Sequence, residues 1–313
     1  MQFTQAVKAK QKLRLAVFGP SGAGKTFSSL RIANGIIGAN GRIAVIDTER
    51  GSASKYADRF RFDTLEPGDT SVETYVEAIE AAGVQGYDVL IIDSMSHGWK
   101  SLIEEVDKLA RAKYKGNTWS AWSEGTPTQK RLVEAILAYP GHLIATMRSK
   151  TEWTTSDDGR GRSKPTRVGL APEQGKGIEY EFDLLMEIST DHLATIIKDR
   201  TGKFQDKMIE KPGEEFGAEL AQWLNDGVEI KPPHWSEDPA NRLKIEKALQ
   251  GKGVPLPTFF EALEVQGWHE VIGFKGSGAD ALGLAIEAYE KILEDASAAP
   301  PPQSPPATEG ASP

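Results

Sequence analysis

Apolar residues alternate between two periods along the first 225 positions. Near-continuous runs at 13–18 (LRLAVF), 42–47 (RIAVID), 87–93 (YDVLIID) and 141–147 (GHLIATM) are bounded by turn residues, as expected of strands buried on both faces. Between them, apolar positions recur at helical spacing and predict helices near 25–37, 71–83, 99–113 and 127–138. This alternation predicts an α/β unit, a mostly parallel sheet flanked by helices. Three close-set runs follow, FDLLMEIS from Phe182, LATIIK from Leu193 and FQDKMIE from Phe204, and predict an antiparallel extension of the sheet. After the proline-rich KPPHWSEDP from Lys231, helical patterns at about 240–250, 257–266 and 279–294 predict a small C-terminal helical domain.

The expected division is 1–230 for the α/β domain, 236–295 for the helical domain and 296–313 for a tail. The tail carries six of the 18 prolines, one charge (Glu309) and no aliphatic residue larger than alanine, so it is expected to be disordered. A chain of 313 residues, 39% hydrophobic and 26% charged, has material for one large core and a small accessory one. It holds no apolar run of membrane-spanning length and begins without a signal-peptide h-region, which gives the expectation of a cytoplasmic protein without a membrane partner. The absence of cysteine excludes disulfides, thiolate zinc sites and cysteine nucleophiles. The five histidines, His97, His142, His192, His234 and His269, are too scattered to read as a metal cluster. Any metal is then expected on carboxylate and phosphate. The net charge of −8 argues against a basic coat but leaves room for a local basic groove.

The chemistry concentrates in GPSGAGKT. Gly19, Gly24, Lys25 and Thr26 fit G-x-x-x-x-G-K-[ST] between a predicted strand and a predicted helix, the context this phosphate-binding loop requires. Its glycines let backbone N–H groups of Gly22 to Lys25 face a phosphate at a helix N-terminus. Gly19, Pro20, Ser21, Gly22, Ala23, Gly24, Lys25, Thr26 and Phe27 are therefore the candidate nucleotide-binding residues. Lys25 supplies charge to the β- and γ-phosphates and Thr26 ligates magnesium, so the expected cofactors are ATP and Mg2+. The second metal-anchoring residue is Asp93, at the tip of VLIID, although an aspartate there also suits a helix cap. Glu49, just past the tip of IAVID, is the candidate general base for an attacking water, with a solvated loop carboxylate as the alternative.

IAVIDTERGSASKYAD, taken with GPSGAGKT and VLIIDS, resembles the RecA-like recombination ATPases, and residues 10–226 look like the compact RecA-core ATPases of bacteriophages. The resemblance implies a RecA-like P-loop fold and carries the nucleotide roles to Lys25, Thr26, Glu49 and Asp93. Lys198 and Arg200, in IKDRTG, are similar to the Lys-x-Arg finger that reaches a neighbouring subunit's γ-phosphate in such assemblies; a charged hairpin turn is the alternative. The finger would require a homo-oligomer, ring or filament. Where recombinases place a sensor glutamine, this chain has Thr146-Met147-Arg148-Ser149, which nominates Thr146 or Arg148 instead. The segment before Leu13 shows no counterpart of an N-terminal oligomerisation helix.

GRGRSKPTRVG, 159–169, carries Arg160, Arg162, Lys164 and Arg167 with no acid and reads as a mobile loop at the position where RecA-like proteins line single-stranded DNA. An ordinary basic loop is the alternative. Trp99, Trp119, Trp122 and Trp153 are candidates for stacking on bases, although packing is the commoner use of tryptophan. Together these features imply an ATP- and Mg2+-dependent ATPase acting on single-stranded DNA in phage-type recombination, repair or replication, with a single-strand-binding or replication protein as a candidate partner. Two other readings are a nucleotide-gated interaction module of a replication complex and a small-molecule P-loop kinase.

Overall fold

A computed structural model describes residues 5–157, 163–229 and 234–298, with side chains described outside 152–168 and 295–298. The chain forms two compact units, residues 1–229 and 230–313. Most of the predicted tail, 299–313, lies outside the described residues.

The first unit contains strands β1 (Arg14–Gly19), β2 (Ile43–Asp47), β3 (Asp63–Leu65), β4 (Val89–Asp93), β5 (His142–Asp157), β6 (Ser163–Pro172), β7 (Leu184–Ile188), β8 (Leu193–Asp199) and β9 (Met208–Glu210). Its helices are α1 (Lys25–Ile37), α2 (Val72–Val84), α3 (Met95–Lys113), α4 (Thr118–Ala138) and α5 (Glu214–Asn225). The sheet runs β3-β2-β4-β5-β1-β7-β8-β9, parallel through β7, with β8 and β9 added antiparallel. Strand β6 pairs antiparallel with the outer part of β5. The architecture is the α/β one read from the periodicity; of the three runs expected to extend the sheet antiparallel, β8 and β9 do so, whereas β7 joins the parallel part beside β1.

Every residue of β1, β2 and β4 is buried, because helices cover both faces. Ala16 and Phe18 point into one core with Tyr75 of α2, Leu102 and Val106 of α3, and Leu132 and Ile136 of α4. Leu15 and Val17 point into the other, with Leu30 and Ile32 of α1 and Phe216 and Leu220 of α5. Helices α1 and α5 cross closely because Gly217 lies against the Ile32 carbonyl, where any side chain would collide. The second unit, with helices α6 (Pro239–Gly251), α7 (Leu256–Ala262) and α8 (Gly278–Ala298), has its own core of Ile245, Leu249, Val254, Phe259, Val271, Ala281 and Ala285.

Two expectations change. The helix expected from position 127 begins nine residues earlier, capped by Asn117, whose side chain accepts the Ser120 N–H at 3.1 Å; Pro127 lies inside α4. The expected loop at 159–169 is a strand from Ser163 onward, because TEWTTS and SKPTRVGL pair as a ribbon beyond the sheet, with a register shift at Glu152/Trp153.

At the base of the sheet, Arg14 is buried and donates to the carbonyls of Leu13, Leu137, Tyr139 and Gly141, which closes the C-terminal end of α4. Beside it, buried His142 accepts the Leu13 N–H through Nδ1 at 3.1 Å and is therefore neutral with its proton on Nε2. Burial, reinforced by Lys12 and Arg14, pushes its pKa down to about 4. The unfolded chain binds this proton near pH 6.5 and the folded chain only near 4. The contribution to stability is thus complete above pH 6.5 and is lost as pH falls through that window, by up to about 3 kcal/mol. His142→Asn keeps an acceptor and does not titrate, so its stability, measured by urea unfolding at each pH, is expected to fall less than that of the parent between pH 6.5 and 4. Parallel curves would show that His142 is not the titrating group.

Candidate active site

β1 ends at Gly19 and the chain turns through Pro20–Ala23 into α1, with Gly24 as N-cap at φ 87, a left-handed conformation natural to glycine. The Ala23 N–H donates to Pro20 O at 3.3 Å and the Ser28 N–H to Gly24 O at 2.8 Å. The first N–H groups of α1 have no helical acceptor, and Gly24, Lys25 and Thr26 line a cavity, the arrangement an anion site requires. Lys25 folds over the loop and donates to Gly19 O at 3.0 Å and Pro20 O at 2.9 Å. Burial lowers its pKa, opposed by the charges of Asp93 and Glu49. A cavity of about 610 Å³ is lined by the loop together with Glu49, Ser52, Tyr56, Asp93, Arg148, Ser149 and Glu173.

Asp93 is 2% exposed at the tip of β4. Its two carboxylate oxygens accept the Thr26 and Thr146 hydroxyls, each at 2.5 Å. Burial raises its pKa, against the lowering effect of the two hydroxyls. A buried carboxylate beside a hydroxyl, with no ammonium or guanidinium bonded to it, is an all-oxygen donor set that suits a hard divalent cation completed by phosphate and water. Among the described residues no cluster of three His, Asp or Glu side chains forms a protein-only metal cage. The residues present therefore fit magnesium through Thr26 and Asp93.

Asp47 is buried and structural: its carboxylate accepts the N–H groups of Glu49 and Ala53, both at 2.8 Å, and shapes the turn that presents Glu49. Glu49 meets Arg148, whose Nη2 lies 2.9 and 3.0 Å from its two oxygens and whose Nε lies 3.3 Å away. Ser94 Oγ at 3.5 Å and His97 Nε2 at 3.6 Å approach the same carboxylate. Thr48 Oγ1 accepts the Ser94 N–H at 2.9 Å and sits 2.8 Å from His97 Nδ1. Tyr75 donates to Ser94 O at 2.7 Å, its hydroxyl pushed up to about 12 by burial.

Of the two sensor candidates, Thr146 bonds to Asp93, the candidate metal anchor, and Arg148 to Glu49, the candidate base. Met147 between them is buried in the core. Sequence reasoning missed the Glu49–Arg148 pair, whose one visible signal is a cation directly after a strand that ends beside β4. It also missed Tyr56, which lines the cavity and packs on Phe27 at 5.3 Å, while Phe27 meets Phe60 at 5.4 Å.

Lys198 and Arg200 lie elsewhere. β8 runs antiparallel to β7, and Asp199 pairs with Leu184, so the pair sits at the edge of the sheet opposite the P-loop. Lys198 donates to the carbonyls of Glu179, Tyr180 and Phe182 at 2.7–2.9 Å. Arg200 donates to Tyr180 O at 2.6 Å and pairs with Asp183 at 3.5 Å. Within one chain neither reaches the phosphate loop. Lys164 and Arg167 stand on β6, paired with Ser156 and Trp153, whereas Arg160 and Arg162 lie outside the described residues. Trp99 and Trp122 stack on each other at 5.5 Å and pack on the core, which removes them from base stacking; Trp119 is 88% exposed.

Residues 11–210 match the AAA_24 family, described as an AAA domain. The chain belongs to this family. No curated protein matches it. Among solved structures it is similar to a KaiC-like protein of the hyperthermophilic archaeon Pyrococcus horikoshii OT3, at 15% identity and TM-score 0.35, over 64% of this chain and 87% of that one. It is also similar to an ATPase from the type III secretion system of pathogenic bacteria, at 14% identity and TM-score 0.34, over 88% of this chain and 80% of that one. Likenesses this distant carry no argument; the family match and the P-loop do. The domain is an AAA-type α/β domain with a P-loop, a family membership that implies use of nucleotide and typically Mg2+.

Lys25→Ala is expected to weaken binding of Mg2+-ATP, measured by calorimetry. Glu49→Gln is expected to keep that affinity and lower turnover by roughly 10² to 10⁴-fold, because only water activation is removed. Unchanged phosphate release in Glu49→Gln would exclude Glu49 from the mechanism.

Proposed function

We propose that this protein is an ATP- and Mg2+-dependent ATPase that assembles as a ring or filament and acts on single-stranded DNA in phage-type recombination, repair or replication. The observation that carries the reading is the convergence of Lys25, Thr26, Asp93, Thr146, Glu49 and Arg148 at one edge of the sheet. In this arrangement Lys25 and the loop N–H groups hold the phosphates, and Thr26 and Asp93 hold the metal. Glu49 takes a proton from water, and Arg148 fixes the carboxylate's position. Tyr56 offers an aromatic face to a base.

Support for a DNA ligand comes from connectivity. β5 runs unbroken from Thr146, bonded to Asp93, out to Asp157 and pairs there with the strand carrying Lys164 and Arg167. A strand of DNA held by this ribbon would be joined to the nucleotide site by one β-strand. Lys198 and Arg200 act, in this reading, only across a subunit interface. The helical segment 236–295 and the tail 296–313 are read as the surfaces for a replication or single-strand-binding partner.

A second reading has an observation of its own. A cavity of about 900 Å³ lined by Thr48, Arg50, Thr70, Ser71, His97, Lys100, Ser101 and Lys108 shares Glu49 and Arg148 with the nucleotide cavity. A polar acceptor seated there would face the same base, as in a small-molecule kinase. Product analysis separates the two: free phosphate supports the ATPase, and phosphate transferred to an added acceptor supports the kinase.

For the DNA reading, replacing Arg160, Arg162, Lys164 and Arg167 with neutral residues is expected to abolish most single-stranded-DNA binding and DNA-stimulated hydrolysis while sparing basal hydrolysis. Four phosphate contacts give a log–log salt slope of about −3, at roughly −0.7 each. Equal slopes and affinities for parent and variant would exclude this ribbon as the contact. Mixing Arg200→Ala with Lys25→Ala subunits is expected to restore part of the activity, since a shared site can combine one intact loop with one intact arginine. Proven co-assembly without recovery would exclude a role in trans.

A further inference from the structure

The turn between β7 and β8 reaches the phosphate loop through the side chain of His192. His192 Nδ1 lies 3.1 Å from the carbonyl oxygen of Ala23. A carbonyl only accepts, so Nδ1 carries the proton in this contact. The consequence follows from the planarity of the peptide. In a trans peptide the C=O and the following N–H point in opposite directions. Holding the Ala23 carbonyl on the outer side of the loop therefore aims the Gly24 N–H inward. Ala23 is fully buried, while Gly22, Gly24 and Lys25 line the cavity on the inner side.

The geometry points to His192 as a positioning residue for nucleotide binding, one that fixes the Ala23–Gly24 peptide so that its N–H faces the phosphate. The inference rests on the reading of this loop as the nucleotide site and adds to it a residue remote in sequence. His192 is built for the task. Its φ is 61, a left-handed conformation that few residues other than glycine, asparagine, aspartate and histidine adopt. Its own N–H donates to Ser189 O at 3.0 Å, and its carbonyl accepts the Lys211 N–H at 2.8 Å, so the ring is carried on a fixed base. A side chain at Gly24 would meet His192 Nδ1 at 3.3 Å, so the loop glycine serves the approach of the imidazole as well as its own positive φ.

The same stretch grips the helix that the loop opens. Arg31 of α1 donates to Lys211 O at 3.1 Å and pairs with Glu214 at 2.6 Å. Residues 192–214 thus hold the loop at Ala23 and its helix at Arg31, and the contact at Ala23 is the one aimed at a ligand-binding peptide.

Two substitutions separate this role from mere support of the turn. His192→Asn tolerates the left-handed conformation and carries an amide donor at the position of Nδ1. His192→Gly tolerates the conformation and has no donor. With Mg2+ and a fluorescent ATP analogue, the asparagine variant is expected to bind within about twofold of the parent and the glycine variant about tenfold more weakly, the effect of one net hydrogen bond. The loss should appear in KM more than in kcat. In the absence of nucleotide, hydrogen exchange of residues 19–26 should quicken in the glycine variant while residues 142–147 stay protected, which reports the loop even if the variant melts early. Equal affinities for glycine variant and parent, or equal losses for both variants, would overturn the role of His192 alone. A parent that binds no nucleotide would overturn the loop reading with it.

Discussion

One buried carboxylate and the two hydroxyls that hold it organise the site. Asp93 lies at the end of β4, and its oxygens reach Thr26 at the start of α1 and Thr146 on β5. The register makes this possible: Val17 pairs with Thr146 and Ile92 with Ala145, so the tips of β1 and β4 arrive level with Thr146 of β5. Two neutral hydroxyls do not offset the cost of burying a charge, and the raised pKa of Asp93 expresses the remainder. A divalent cation at Thr26 and Asp93 would remove that cost. The apolar sheet around the carboxylate is thus what makes the site receptive to metal-bound phosphate.

Glu49 is handled differently. It is part-exposed and held by the fork of Arg148, and Asp47 shapes its backbone. The two acids after β2 share a turn and divide its roles, one buried and satisfied by main-chain N–H groups, the other at the wall between two cavities. A ligand in either cavity would meet the same carboxylate, which Arg148 holds in its present position.

The parts of this molecule that follow from local physics were legible in the sequence. The P-loop motif between an apolar strand and a helix located α1 to the residue, and the Asp93 strand needed only its continuous apolar run. The parts that depend on pairing between distant segments were not. Arg148 finds Glu49 because β4 and β5 are neighbours, and no spacing along the chain records that. Lys198 and Arg200 resemble a finger by pattern, but no spacing along the chain records that the antiparallel direction of β8 carries them to the end of the sheet opposite their own phosphate loop. The stretch from Gly159 was read as a loop because glycine and cations dominate it, whereas cross-strand pairing with β5 makes Ser163–Pro172 a strand. Apolar spacing places the start of α4 near 127, whereas the Asn117 cap sets it at Thr118 and Pro127 lies inside the helix.

The position of β1 has a consequence for the order in which the chain matures. Among the described residues its strand partners are β5 and β7, and the contacts at its base span 129 residues to His142 and 169 to Asp183. The strand that leads into the phosphate loop thus has no strand neighbour close in sequence. Loop-closure entropy must be met before β1 gains any pairing, so an incompletely folded chain carries an apolar strand with no sheet to enter. Nucleotide can stabilise only the completed sheet, which makes ligand binding a report on the end of folding and no help at its beginning.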